Sequence, residues 1–251
     1  MIQTNQLTKR FGEFAAVSGL TLSVPPGTIF GFLGPNGAGK TTTLRMVTGL
    51  LRPTSGTATI AGLDVVSDPE GVKRLVGYLP DNPFIYDHLT VVEFLTFIGD
   101  VYGVPATQVR QLGEQYLTRF GLADVAHQAA ADLSLGTKKK VALVALLVRR
   151  PKVLFLDEPT SSLDPKAVKT LRDLLAQVAA EGTTVFFSTH ILEVAQRISH
   201  TMGIIARGRL VACGTMDQLK SQAHTDNPDL EPIFLSLTEE NQEASGPSPE
   251  V

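Results

Sequence analysis

The junction that most restricts the fold is Ile29-Phe30-Gly31-Phe32-Leu33, then Gly34-Pro35-Asn36-Gly37-Ala38-Gly39-Lys40-Thr41-Thr42, then Thr43-Leu44-Arg45-Met46-Val47-Thr48. The first run is apolar and reads as a strand buried on both faces. The last has a helical pattern, with Gly49 placed to stop it. Between them, glycines let the backbone curl until successive N–H groups point at one anionic oxygen. The helix that follows adds its positive end at the same place. Strand, glycine loop closing in Gly-Lys-Thr, then helix is the context of a phosphate-binding P-loop. In such a loop Lys40 reaches the β- and γ-phosphates of a nucleoside triphosphate, and the Thr41 hydroxyl ligates Mg²⁺. A chance glycine turn containing Lys-Thr would not be flanked correctly on both sides.

The rest of the chain arranges itself around that loop. Residues 1–30 carry short alternating runs such as Leu20-Thr21-Leu22-Ser23-Val24, broken at Pro25-Pro26-Gly27. Strands are predicted at Thr57–Ile60 and Leu75–Leu79, around Gly62 and a helix over Asp68–Arg74. From about 82 to 150 the pattern is helical. Thr90 and Glu93 form a capping-box pair opening a helix to about Tyr102. A second helix is predicted over Pro105–Phe120, stopped by Gly121, and a third over Ser134–Arg150. Strand character returns at Val153–Leu156, then a helix over 165–180 begins with Pro165 at its first position. Thr183–Ser188 reads as a strand, followed by a helix through Ser199 and a strand pair around 202–213. Strands alternating with helices imply a mainly parallel, covered sheet. The expected fold class is α/β: a P-loop (RecA-like) nucleotide core with an N-terminal antiparallel β layer and an inserted α-helical subdomain.

Composition narrows the class. A chain of 251 residues with 43% hydrophobic and 19% charged residues builds a sizeable core. Its net charge of −3 supplies no basic field for nucleic acid or an anionic membrane. The single cysteine, Cys213, allows no internal disulfide and fits a reducing compartment. Met1–Gln6 lacks a signal-peptide layout, and the longest apolar runs, such as Val141–Val148, fall well short of the roughly 20 residues a membrane helix needs. The expectation is a chain that reaches a membrane only through a partner. Residues 239–251 have the composition of a solvated, disordered tail.

Two further stretches carry chemistry. Val153-Leu154-Phe155-Leu156-Asp157-Glu158 is an apolar strand ending in two carboxylates, at the sheet end where the P-loop also sits. Asp157 is placed to hold Mg²⁺, and Glu158 to orient or deprotonate an attacking water. In Leu133-Ser134-Leu135-Gly136-Thr137, Ser134 caps the helix that starts there. That helix start, next to Lys138, Lys139 and Lys140, reads either as a second anion site or as a cap beside a solvated lysine face.

With these residues in place, the chain resembles the nucleotide-binding subunit of ATP-binding-cassette (ABC) transporters over about residues 1–220, leaving 221–251 as a C-terminal extension. Gly34–Thr41 resembles Walker A and Val153–Glu158 Walker B. Leu133–Thr137 resembles the signature sequence, usually Leu-Ser-Gly-Gly-Gln, with Leu135 and Thr137 departing from it and Ser134 and Gly136 kept. Ser161-Ser162-Leu163-Asp164 resembles the D-loop, His190 the switch histidine, and Phe11 the aromatic residue under adenine. The plainer alternative for Phe11 is a core residue, as buried phenylalanines usually are. Asp81 stands where the family usually has glutamine: either its carboxylate contacts Mg²⁺, or neighbouring Asn82 supplies the amide after a one-residue shift, and Asp81→Gln is expected to preserve turnover. The resemblance implies that Glu158 and His190 are catalytic and that Thr41, Asp157 and Asp81 face the metal. Phe11, Gly34–Thr42, Ser134, Gly136 and Asp164 would contact ATP.

The resemblance also implies a head-to-tail pair of ATPase subunits, identical or closely paralogous, with ATP between the Walker A of one and the signature of the other. The pair would drive a separate transmembrane permease subunit, in a drug-exporter-like system, from the inner face of the cell membrane, without nucleic acid. A soluble cassette acting on ribosomes or DNA is the alternative; those relatives usually carry two cassettes or a long coiled coil in one chain. A regulatory module without turnover fits poorly with Lys40, Asp157, Glu158 and His190 all present. Phe84, Ile85, Tyr86 and Leu89, between the strand and the insertion, either pin the insertion to the core or grip a helix of the partner.

Overall fold

The computed structural model describes residues 1–243, with side chains to residue 239. Two sheets share one scaffold. The first is antiparallel, in the order β2 (Phe14–Val24), β1 (Ile2–Phe11), β4 (Ser55–Ile60), β5 (Leu63–Asp64). The second runs β10 (Arg209–Gly214), β9 (Thr201–Ala206), β3 (Ile29–Leu33), β8 (Thr184–Thr189), β7 (Val153–Asp157), β6 (Val76–Leu79). All its pairs are parallel except the β9–β10 hairpin.

The continuous apolar spelling of the central strands follows from burial on both faces. Because side chains alternate along a strand, Ile29 and Leu33 face one core and Phe30 and Phe32 the other. On the face toward the antiparallel sheet, Phe186 packs against Phe30, Phe32 and Phe155 with ring centroids 5.1–5.7 Å apart. Between β3 and β4 lies α1 (Lys40–Val47), and before β6 lies α2 (Pro69–Leu75), capped by Asp68.

The insertion leaves β6 and returns at β7. It comprises α3 (Val91–Val101), α4 (Ala106–Arg119), two short 3₁₀ turns and α5 (Leu135–Val148). The Thr90–Glu93 capping box is formed reciprocally, as its spelling predicts. The chain then continues through α6 (Pro165–Ala180), α7 (Leu192–Ile198), α8 (Met216–Gln222) and α9 (Leu230–Glu243). Most predicted and observed ends differ by a residue or two, as fraying termini do, but α1 begins at Lys40, three residues before the expected Thr43. Among the described residues no helix is long and apolar enough to cross a membrane.

The C-terminal segment departs from the sequence expectation. Helix α9 runs through Glu243, so residues 239–243 continue a helix; residues 244–251 of the expected tail lie outside the described residues. Leu230, Ile233 and Leu237 are buried against the main core, on one stripe at helical spacing. Gln196 on α7 ties the helix start, accepting from Leu230 N (3.0 Å) and donating to Pro228 O (2.9 Å). Ile233→Ala is therefore expected to destabilise the fold by about 2–5 kcal/mol, read by chemical denaturation. An unchanged midpoint would mean α9 does not belong to the cooperative unit.

Candidate active site

The loop after β3 is held by close backbone contacts. A Cβ on Gly34 would lie 2.3 Å from Ile205 O, so only glycine lets the loop pass β9. Gly39 caps α1 at φ 103°, and a Cβ there would meet Ala16 O at 2.5 Å. Ala38 is buried, and its carbonyl accepts from Gly208 N (3.0 Å). Lys40 Nζ is buried and donates to Gly34 O (2.6 Å) and Pro35 O (3.2 Å). The same ammonium lies 3.4 Å from Glu158 Oε1.

Register brings the carboxylates to this loop. In the β7–β8 ladder Asp157 stands opposite Ser188, whose hydroxyl donates to Asp157 Oδ1 (2.5 Å). Glu158 N donates to Ser188 O (3.1 Å), and His190 Nδ1 lies 3.0 Å from Glu158 Oε1. The other oxygen, Glu158 Oε2, is buried without a hydrogen-bond partner among the described residues. Glu158 itself sits at φ 46°, a left-handed conformation that a non-glycine residue adopts at a cost.

Around these groups opens a cleft of about 460 Å³. Phe11, Pro35, Asn36, Gly37, Gly39, Lys40, Thr41, Thr42, Asp81, Asp157 and Glu158 all line it, as does Phe14, which sequence reasoning missed. Phe11 is 52% exposed with the Lys9 ammonium 5.1 Å from its ring centre, so the core reading fails for it. Phe14 pairs with Phe11 across the β1–β2 hairpin, which was the available signal. Ser188 was also missed, although it stands two residues before His190 at the end of an apolar strand.

Ser134, Gly136 and Asp164 do not line this cleft. Ser134 caps α5, accepting from Thr137 N (3.2 Å). A Cβ on Gly136 would lie 2.4 Å from Ser162 O, so this glycine admits the loop before α6. Asp164 caps α6 through Ala167 N (2.8 Å), and that backbone hydrogen bond holds its carboxyl below the usual carboxylate range.

Each lysine of the run has a carboxylate within reach. Lys138 pairs with Asp87 (3.2 Å), Lys139 with Asp81 (3.1 Å) and Lys140 with Asp164 (3.7 Å). Asp81 therefore reaches the cleft already engaged, since Oδ1 also accepts from Ser161 Oγ (2.7 Å). Burial raises its carboxyl, but the Ser161 and Lys139 hydrogen bonds and the Lys139 charge outweigh that and hold it below the usual range.

The donor set suits a magnesium nucleotide. Thr41, Asp157 and Asp81 offer only oxygen, the ligand type a hard divalent cation takes. Lys40 and the loop backbone offer positive charge to phosphate, while the buried Glu158 Oε2 has no donor among the described residues. A P-loop beside a strand-end carboxylate pair, with an inserted helical subdomain, defines a cassette-type P-loop nucleotide-binding protein. A family model described as "ABC transporter" matches residues 17–161, and the chain belongs to that family, whose cassette is a P-loop ATPase. It is 38% identical over 240 residues to "Probable multidrug ABC transporter ATP-binding protein YbhF" of Escherichia coli, covering 94% of this chain and 41% of the relative. The chain thus spans about two fifths of that relative's length. It is 37% identical over 220 residues to "Daunorubicin/doxorubicin resistance ATP-binding protein DrrA" of Streptomyces peucetius, covering 88% of this chain and 67% of the relative. A solved "Structure of ATP binding subunit of ABC transporter" superposes with a TM-score of 0.91 at 29% identity, covering 95% of this chain and 99% of the other.

Proposed function

We propose that the chain is the ATP-hydrolysing subunit of an exporter, working as a two-fold dimer on a separate transmembrane permease subunit. The observation that carries this reading is the convergence on Glu158: Lys40 and His190 meet one carboxylate oxygen while the other is buried and unpartnered. In this reading Lys40 and the N–H groups of Gly37–Thr42 neutralise the phosphates, Phe11 stacks on adenine, and Thr41, Asp157 and Asp81 hold Mg²⁺. When bound, Mg²⁺ supplies Lewis-acid neutralisation of phosphate charge. Glu158 takes the proton of the attacking water through Oε2, and His190 holds Oε1 and senses the γ-phosphate. Ser134, Gly136 and Asp164, outside this cleft, complete the site of a second subunit, identical or closely paralogous. Export of a drug-like substrate is supported by the multidrug and daunorubicin/doxorubicin resistance names of the two relatives above. In this reading the chain works in the cytoplasm, peripheral to the inner face of the membrane, with no nucleic-acid partner.

The surface that would meet the permease is an apolar groove of about 390 Å³ between core and insertion, lined by Leu50, Pro83, Phe84, Ile98, Tyr102 and Arg149 among others. Within the connecting segment the roles divide. Ile85 is buried and Leu89 packs on the core, whereas Phe84 is 77% exposed. Phe84, Tyr86 and Phe97 form a row of edge-on rings, each 5.3 Å from the next. Exposed aromatic residues beside an apolar groove fit a short helix of a partner. Phe84→Ala/Tyr86→Ala is therefore expected to keep ATP affinity and melting temperature and to lower co-purification with a multi-span membrane protein by about tenfold. Undiminished assembly, or co-sedimentation with ribosomes instead of membranes, would overturn the reading.

A further inference from the structure

The helical insertion is fastened to the catalytic end of the sheet by one buried cation. Lys139, on the second turn of α5, is 0% exposed, although its neighbours Lys138 and Lys140 point outward to their own carboxylates. Its ammonium donates to Asp81 Oδ1 (3.1 Å), Glu158 O (2.9 Å) and Ser161 O (3.3 Å), and touches Ser161 Oγ closely. Ser161 Oγ bridges the cluster, within 2.7 Å of Asp81 Oδ1 and 3.0 Å of Glu158 O. A lysine this buried persists only when its charge is neutralised and its N–H groups are used.

Each partner belongs to a different working part. Asp81 lies two residues after β6, where the chain departs for the insertion, and lines the nucleotide cleft. Glu158 is the residue whose carboxylate meets Lys40 and His190, and its φ of 46° must be held by its surroundings. Ser161 opens the loop whose next residue, Ser162, also has positive φ (62°) and packs against Gly136. Lys139 thus joins α5 to the backbone of the proposed base, and Asp81 supplies the balancing charge.

We propose that Lys139 is a positioning residue for hydrolysis, paired with Asp81. The pair locks the Glu158 and Ser161 carbonyls to the insertion, so that a rotation of the insertion moves the Glu158 carboxylate relative to the P-loop. The proposal rests on the ATPase reading above and names how that site is regulated. It reverses one expectation from the sequence: Asp81→Gln, although it restores the family's usual residue, leaves the buried Lys139 without its counter-charge and is not neutral. Lys139→Gln has the mirror defect, leaving Asp81 as an uncompensated carboxylate on a phosphate-binding cleft. The two changes together leave a neutral pair of amides that can hydrogen-bond to each other.

The test is a double-mutant cycle on the full chain: wild type, Lys139→Gln, Asp81→Gln and the double variant, with Glu158→Gln as a control for the ATPase reading. Each single variant is expected to lower kcat about tenfold or more with KM for ATP within about twofold, because misplacement of a base slows chemistry more than binding. The double variant is expected to lose no more kcat than either single variant, a coupling that independent sites do not show. Without nucleotide, amide hydrogen exchange over residues 158–164 should quicken about tenfold in Lys139→Gln and slow again in the double variant. Multiplying losses in the double variant, or a Lys139→Gln protein with a lower melting temperature but wild-type kcat and exchange, would overturn the proposal. Should Lys139→Gln not fold, Asp81→Gln decides alone, since its side chain is half exposed. Wild-type kcat and exchange in that variant would rule the latch out. A wild-type chain without ATP hydrolysis would instead fell the ATPase reading, and the exchange arm would still decide the positioning role.

Discussion

Glu158→Gln slows ATP hydrolysis by about 10²–10⁴, the range over which a positioned general base acts, and leaves ATP binding in place. The substitution keeps shape and backbone. Both residues bear the same cost at φ 46°, and the amide oxygen can still accept at the position of Oε1, 3.0 Å from His190 Nδ1. What disappears is the proton acceptor at Oε2, the buried oxygen without a partner among the described residues. Lys40 keeps its bonds to Gly34 O and Pro35 O, so the phosphate-binding loop is not disturbed. Hydrolysis should then fail after ATP has closed the two subunits, and an ATP-bound dimer should accumulate. Phosphate release at saturating ATP, with size exclusion in the presence of ATP, measures both. A variant that turns over at near the parental rate would remove Glu158 from the chemistry.

The parts legible from sequence are those in which local spelling and tertiary role coincide. The P-loop is one: strand, loop and helix are contiguous, so Gly34–Thr42 declares its geometry without the rest of the fold. The Asp157-Glu158 pair is another, because a parallel strand delivers its last residues to the ligand end of the sheet. Ser134 and Asp164 were legible as helix caps for the same local reason. Lys139 was not. Three successive lysines are indistinguishable by type, and only the phase of α5 and the approach of Asp81 and Ser161 decide which is buried. Ser188 needed the β7–β8 register, a long-range fact. Helix α9 was obscured because its buried stripe, Leu230, Ile233 and Leu237, lies just before the polar run from 239 onward whose composition reads as tail. The connecting segment was ambiguous because burial alternates residue by residue, Ile85 inward and Phe84 and Tyr86 outward, in a stretch with no regular period.

Mixing two inactive variants, Lys40→Ala and Ser134→Arg, is expected to restore ATP turnover that neither has alone. Lys40 and Ser134 belong to surfaces that one chain does not bring together: Lys40 lines the cleft, and Ser134 caps α5 outside it. If each site joins the P-loop of one subunit to the Ser134 region of the other, a mixed dimer contains one doubly damaged site and one intact site. Half the dimers in an equal mixture are mixed, each with one working site of two, so the rate should recover to about a quarter of wild type under two-fold symmetry. Lys40→Ala removes the buried ammonium beside Glu158 and should abolish turnover by itself. Ser134→Arg also removes a helix cap worth about 1 kcal/mol, so its melting curve must show a folded protein before its inactivity is assigned to the missing hydroxyl and added bulk. The same arrangement makes the specific activity of the wild-type chain rise with protein concentration. Absence of complementation, together with activity independent of concentration, would mean that one chain hydrolyses ATP with the residues of its own cleft.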